Sequence, residues 1–339
     1  MKMREVLYFV VNYIDAAARE LLVKTWSTCH SVIGNARRLR SYVRKTWPGA
    51  DPAFNSRLQA IYAHYDAKGI VHNYVIKQLE ALVEAGFRTT FVSNSPSFPA
   101  IGVSEVAPFC RQILWRRNIG YDFGAYKDGI AALGDLDECE RLLLMNDSVY
   151  GPFYPLGRVL AGIDHERTDF WGITDSWQHH FHIQSYFILF LRKALNSPAF
   201  RQFWHQLPYV NSKRWIIHNS EVRLTQVLTQ NKLRANVHAP YWKVARAVLN
   251  KLQSGTNGSC QRHQQFLDNL QDLLVRGVPQ NPSSIFWEPL IVDFGCPFLK
   301  REIITRNPEQ IPFIWRWDEV LACVSAHDPE VVRRHLQAL

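Results

Sequence analysis

The chain lacks any cysteine pattern that would build a disulfide framework or a zinc site. Its six cysteines, Cys29, Cys110, Cys139, Cys260, Cys296 and Cys323, form no CxxC pair and no metal-ligand spacing. Such usage points to reduced, buried thiols in a cytoplasmic protein. Long hydrophobic runs are also missing: the longest, residues 6–11 and 186–191, are far too short to span a bilayer. No signal peptide is expected at the start of the chain, and no internal repeat is seen. Acidic residues are the scarcer charge, 30 against 39 Lys and Arg. The resulting net charge of +9 favours an anionic partner, such as a nucleotide diphosphate, an anionic lipid or a nucleic acid.

What is present is an ordinary globular composition. An apolar content of 47% with 20% charged residues fits a folded chain and not a disordered one. At 339 residues there is room for one large domain or two, with a sizeable core. Aromatics reach 13%, with 11 Trp, which suits a sugar-handling surface but equally a Trp-rich core or a membrane-facing one.

Taken in order, residues 4–46 read as helix, with Val6, Phe9, Val10, Tyr13, Ile14, Ala17 and Leu21 at helical spacing. Its second part carries Arg37, Arg38, Arg40, Arg44 and Lys45. Such a basic amphipathic helix either lies on an anionic membrane surface or is the solvated face of a packed helix. Beyond the Pro-Gly break at Pro48-Gly49, strands are expected at 58–64, 88–92, 112–115 and 142–145, and helices at 71–83 and 124–133, a β-α-β-β-α-β order. That order predicts an α/β fold, a mainly parallel sheet covered by helices. Further strands are expected at 169–173, 186–191 and 233–237, and helices at 198–206 and 220–231. The division expected is a helical N-terminal extension over 1–50, a ligand-binding α/β domain over 51–250, and a linker with a helical C-terminal extension over 251–339.

The stretch Arg141-Leu-Leu-Leu-Met-Asn-Asp-Ser-Val-Tyr-Gly-Pro152 organises the chain. Its unbroken apolar run reads as a strand buried on both faces. It delivers Asn146, Asp147 and Ser148 to the carboxyl edge of a sheet, where open α/β folds bind ligands. Just upstream, Gly120, Gly124 and Gly129 punctuate a loop running into a helix, around Asp122 and Lys127. Glycine permits close backbone approach, and a helix N-terminus offers N–H groups to an anion. The loop is equally readable as a plain turn, Lys127 as a surface lysine, and Asp147 as the cap of the next turn. His179, His180 and His182 could bind metal or acceptor, although a solvated loop is the favoured reading.

The segments Ile61-Tyr-Ala-His-Tyr-Asp66, Phe91-Val-Ser-Asn94, Asn118-Ile-Gly-Tyr-Asp-Phe-Gly-Ala125, Leu144-Met-Asn-Asp-Ser148, Ile183-Gln-Ser-Tyr-Phe187 and Ser220-Glu-Val-Arg-Leu224 occur in this order. Together with Phe286-Trp-Glu288 and Gly295-Cys-Pro-Phe-Leu-Lys300, they resemble the rhamnan synthesis protein F family over roughly residues 58–305. The resemblance implies a GT-A-like fold and an inverting glycosyltransferase that moves a deoxysugar, typically rhamnose from dTDP-L-rhamnose, onto a lipid-linked polysaccharide or O-antigen precursor. It implies a donor site at Asn118, Gly120, Asp122, Gly124, Lys127, Asn146, Asp147 and Ser148, with Asn146-Asp-Ser148 where a DxD motif would stand. Asp147 is the only carboxylate of that motif. Either it holds a divalent metal, Mn2+ or Mg2+, or basic side chains neutralise the diphosphate instead.

Glu221 is the first candidate for the general base that takes the acceptor's proton, and Asp175 the second. Gln184, Ser185 and Tyr186 are candidate acceptor or sugar contacts. The implied partners are a nucleotide-sugar donor, a lipid-linked glycan and an anionic membrane surface, with no nucleic acid, at a cytoplasmic or peripheral location on the inner face of the membrane. The alternative is a non-catalytic sugar-binding or scaffolding subunit of a polysaccharide-assembly complex.

Overall fold

The computed structural model describes residues 41–255, 258–324 and 329–339. Within them the chain builds a nine-stranded mixed sheet in the order β1-β4-β3-β2-β5-β9-β7-β10, with β8 paired to β7. The strands are β1 (Val43–Pro48), β2 (Leu58–His64), β3 (Arg88–Ser93), β4 (Cys110–Arg116), β5 (Arg141–Asn146), β7 (Phe170–Ser176), β8 (His182–Ile183), β9 (Phe187–Leu191) and β10 (Ala235–Ala239). Neighbours from β4 to β5 pair in parallel, as do β7 and β10. β9 runs antiparallel between β5 and β7, and β1 antiparallel along the edge strand β4. The expected mainly parallel, helix-covered α/β sheet is therefore present.

Strand periodicity divides the core. In β2 and β5, Ala60, Tyr62, Leu143 and Met145 face one hydrophobic layer, while Ile61, Ala63, Leu142 and Leu144 face another. The first layer gathers helices Asn73–Glu84, Tyr241–Gln253, Trp287–Val292 and Glu330–Ala338. The second gathers helices Tyr121–Leu133, Pro198–Gln206 and Arg223–Gln230. Burial of β5 on both faces explains its unbroken apolar run. Gly129 lets the Tyr121–Leu133 helix settle on β2, since a Cβ there would lie 2.5 Å from Cγ2 of Ile61.

The local readings need three corrections. Val43–Pro48 is not the end of a helix but an exposed edge strand, in which Arg44 lies over the Trp115 ring. The rest of the basic helix, with Arg37, Arg38 and Arg40, lies outside the described residues. A helix, Ala100–Val106, separates β3 from β4, so the first half alternates strand and helix throughout. Finally, the C-terminal part is not purely helical. Leu299–Lys300 (β11) pairs antiparallel with Val149–Tyr150 (β6), a second small sheet that fastens the C-terminal region to the turn after β5. No helix among the described residues is long and apolar enough to cross a membrane.

Candidate functional site

The strand order reverses between β2 and β5: β3 and β4 extend the sheet to one side of β2, and β5 begins the other. Such a switch point opens a crevice at the carboxyl ends of the strands. Asn146, Asp147 and Ser148 stand there, with the Asp147 N–H donating to Ala63 O at 3.2 Å. Beside them is a cleft of about 340 Å³ lined by Tyr121, Asp122, Asn146, Ser148, Ser185, Lys213, Glu221 and Lys300, among others.

The glycine-punctuated loop is built around Arg116. This fully buried guanidinium donates to Asp128 Oδ2 at 2.5 Å, Asn94 Oδ1 at 2.6 Å and Ile119 O at 2.8 Å. Gly120 caps the Tyr121–Leu133 helix with φ of +86°, in the left-handed region glycine favours. A Cβ at Gly124 would lie 2.2 Å from Ile119 O, so this glycine closes the loop upon itself. The loop thereby presents Asp122 to the cleft. Asn146 Nδ2 donates to Asp122 Oδ2 at 3.0 Å, and Asn146 Oδ1 accepts from the Ser148 N–H at 3.1 Å and from its hydroxyl. Burial, then the neighbouring Asp147 and Glu221 carboxylates, push the Asp122 carboxyl up to about 7.

Across the cleft, Glu221 lies in a π-helical segment, Ile217–Val222, that joins two α-helical turns. Such segments often mark functional sites. Its Oε1 accepts from the Ser185 N–H at 2.7 Å and the Ser185 hydroxyl at 2.8 Å. Tyr126 donates its hydroxyl to Ser185 O at 3.0 Å. Gln184 and Tyr186 also line the cleft, but both are tied to Thr174 Oγ1, at 2.7 and 2.8 Å. Lys300 of β11 lines the same cleft. Its ammonium is lowered in pKa by burial, against the pull of Glu221 and Glu302.

Other sequence candidates stand elsewhere. Asp147 turns to the opposite side of the motif, where its Oδ2 accepts from the Tyr65 N–H and from Arg301 Nη1, both at 3.3 Å, and from Tyr74 at 3.5 Å. Asp175 accepts from the Tyr241 N–H at 2.6 Å and from Trp177 at 3.3 Å, capping the Tyr241–Gln253 helix outside the cleft. Burial pushes its carboxyl up. Lys127 donates to Leu207 O at 2.6 Å and lines a separate, mostly apolar cavity of about 640 Å³ beside β1. Asn118 keeps a buried Oδ1 that finds no hydrogen bond among the described residues, outside the cleft lining. His179 and His182 line the cleft, yet His179 packs on His218 and His182 is tied to His180 O.

A divalent cation needs several converging ligands. Among the described residues no three His, Cys, Asp or Glu side chains converge in that way. Asp147 faces a guanidinium, and Ser148 offers no carboxylate. The motif's side chains do not fit a cation held as in a DxD site.

Comparison with known proteins places this cleft in a recognised segment. Residues 89–240 match the family model of rhamnan synthesis protein F. The matched segment holds Asp122, Asn146, Ser148, Ser185 and Glu221. Lys300 and the Leu299–Lys300 strand fall beyond it, as do Ile61 to Asp66. An uncharacterised protein, y4gN of Sinorhizobium fredii, is 33% identical over 172 residues, 49% of this chain and 44% of that protein. The chain thus spans less than half the length of that relative. Virulence protein VirA of Vibrio anguillarum is 26% identical over 267 residues, 77% of this chain and 84% of that protein. Among solved structures, a mannosyltransferase from Pyrobaculum calidifontis in complex with GDP-Man and Mn2+ overlaps 75% of this chain and 80% of its own. The TM-score is 0.33 and the identity 8%. An overlap of that size says nothing of what this chain binds.

Sequence reasoning passed over three residues that shape the site: Arg116, Lys213 and Lys300. Arg116 had a readable signal, since a guanidinium at the end of an apolar strand needs a buried acceptor, and Asp128 follows one helix later. Lys300 closes a segment already recognisable as family-like, but nothing local ties it to a turn half the chain away.

Proposed function

We propose that this chain is a glycosyltransferase that moves a deoxysugar from a nucleotide-sugar donor, dTDP-L-rhamnose, to a hydroxyl of a lipid-linked cell-surface polysaccharide precursor. The observation that carries the reading is the single cleft that sets Glu221 opposite Asp122 and the Asn146–Ser148 turn at the switch point of the sheet. The family match over residues 89–240 supports it.

In this reading Asp122, Asn146 and Ser148 orient the donor. The acceptor oxygen attacks the anomeric carbon as the bond from that carbon to the diphosphate breaks, its electron pair leaving on the diphosphate. Glu221 takes the acceptor's proton. Ser185 fixes Oε1, and no hydrogen bond among the described residues reaches Oε2, which leaves that oxygen available as the acceptor of the proton. Direct displacement of this kind inverts the anomeric centre.

The second reading, a non-catalytic sugar-binding subunit, draws support from Asp147, whose carboxylate is already held by Arg301, Tyr74 and Tyr65. Glu221→Gln separates the two. Removing a general base lowers turnover by roughly two to four orders of magnitude while donor affinity stays near that of the wild type. Turnover that survives Glu221→Gln but not Asp175→Asn transfers the role to Asp175.

A further inference from the structure

β6 and β11 meet at the motif that ends β5. Lys300 pairs with Val149, and the Arg301 N–H donates to Ser148 O at 2.8 Å. Lys300 ends β11 and Arg301 opens the helix Arg301–Thr305, so the chain turns between them and the two cations part. Arg301 goes to the outer side, where its guanidinium holds Asp147 at 3.3 Å and packs over the Tyr74 ring. Lys300 goes into the cleft with Asp122, Asn146, Ser148 and Glu221. Lys213 enters the same cleft from the helical turn Lys213–Ile216, its ammonium 3.9 Å from Glu302.

Among the described residues, the Lys300 ammonium makes no hydrogen bond and no ion pair. Half-buried in the cleft, this ammonium feels the Glu221 and Glu302 carboxylates without contacting them, and an anion entering the cleft would give it a direct partner. The carboxylate expected to recruit a metal meanwhile stands on the far side, neutralised by Arg301.

We propose that Lys300, assisted by Lys213, binds the diphosphate of the nucleotide-sugar donor in place of a divalent cation, so that donor binding needs no metal. The inference rests on the donor-site reading above and adds to it the group that meets the phosphates. Lysine suits this task as a compact point charge with three donors. The same charge stabilises the leaving diphosphate as the glycosidic bond to it breaks.

The test is calorimetric titration of the full chain with dTDP, UDP and GDP, in EDTA and again in MnCl2. For the nucleotide that binds, the wild-type Kd is expected to be the same in both buffers. Lys300→Met keeps the apolar stem and removes the charge, and should weaken binding about tenfold or more. Lys300→Arg should recover most of the loss, which a merely structural lysine would not require. Binding abolished by EDTA, or unchanged in Lys300→Met, overturns the lysine inference and leaves the donor site standing. Failure of wild-type protein to bind any of the three overturns both.

Discussion

Asp122 shows how far a single residue's chemistry depends on its surroundings. In sequence it is the first-turn acid of a helix, a position that ordinarily favours the ionised form. In the fold it is half-buried beside two other carboxylates, and its pKa rises to about 7. A carboxyl raised from its ordinary value near 3.9 contributes stability below that value and loses it as pH climbs to about 7, with no further change above. Asp122→Asn stays neutral and can still accept from Asn146. Its melting temperature should therefore match the wild type near pH 4, pull ahead as pH rises towards 7, and hold a constant lead at pH 8. Scanning calorimetry across that range checks this, and a lead that is absent or opens in the acid direction contradicts the assignment. The raised pKa was hidden from the sequence because its causes, Asp147 and Glu221, are distant along the chain. That Asn146, Ser148 and Glu221 would share a cleft was suggested by the motifs in which they lie, each with its own local pattern. Whether Asp147 would face the cleft or its reverse was not legible. That is set by β11, which brings Arg301 to the far side.

At the scale of elements, legibility followed burial. β5 and β2 carry unbroken apolar runs and the Pro198–Gln206 helix a strong apolar periodicity, and their observed bounds lie within about a residue of those expected. β1 carries almost none: an edge strand with exposed Arg44, Lys45 and Thr46 has no buried face to pattern, and charge on an edge guards against further pairing. The two-residue β11 is too short for any periodicity. The π segment differs from an α-helix by a shift in hydrogen bonding that leaves no mark on composition. Helix-on-strand packing, by contrast, makes a sharp prediction. Gly129→Ala forces a Cβ against Ile61 and should cost about 1–3 kcal/mol by overpacking, despite alanine's better helix propensity. Gly157→Ala, with nothing within 4 Å of the added Cβ, should be neutral or slightly stabilising. Urea unfolding of both variants compares them, and equal stabilities would mean that the helix does not rest on β2 as described.

At the scale of the whole molecule, the mainly parallel sheet and its switch point were expected from the alternation of strand and helix. The joining of the two ends of the site was not. The cleft takes one wall from residues 121–148, another from the segment around Glu221, and Lys300 from the C-terminal part. Residues from Ala60 to Val332 share one hydrophobic layer, so the C-terminal region packs into the same core as the strands that carry the motif. In the proposed function this one cleft binds a nucleotide-sugar and activates a hydroxyl against it. The most direct test is release of dTDP from dTDP-L-rhamnose by the wild type and Glu221→Gln, with a lipid extract carrying polysaccharide precursors as acceptor. Steady release by the wild type that depends on the extract is expected, with release at least about a hundredfold slower in the variant. Equal release by the two proteins, or donor binding by the wild type with no release at all, would contradict the proposed function.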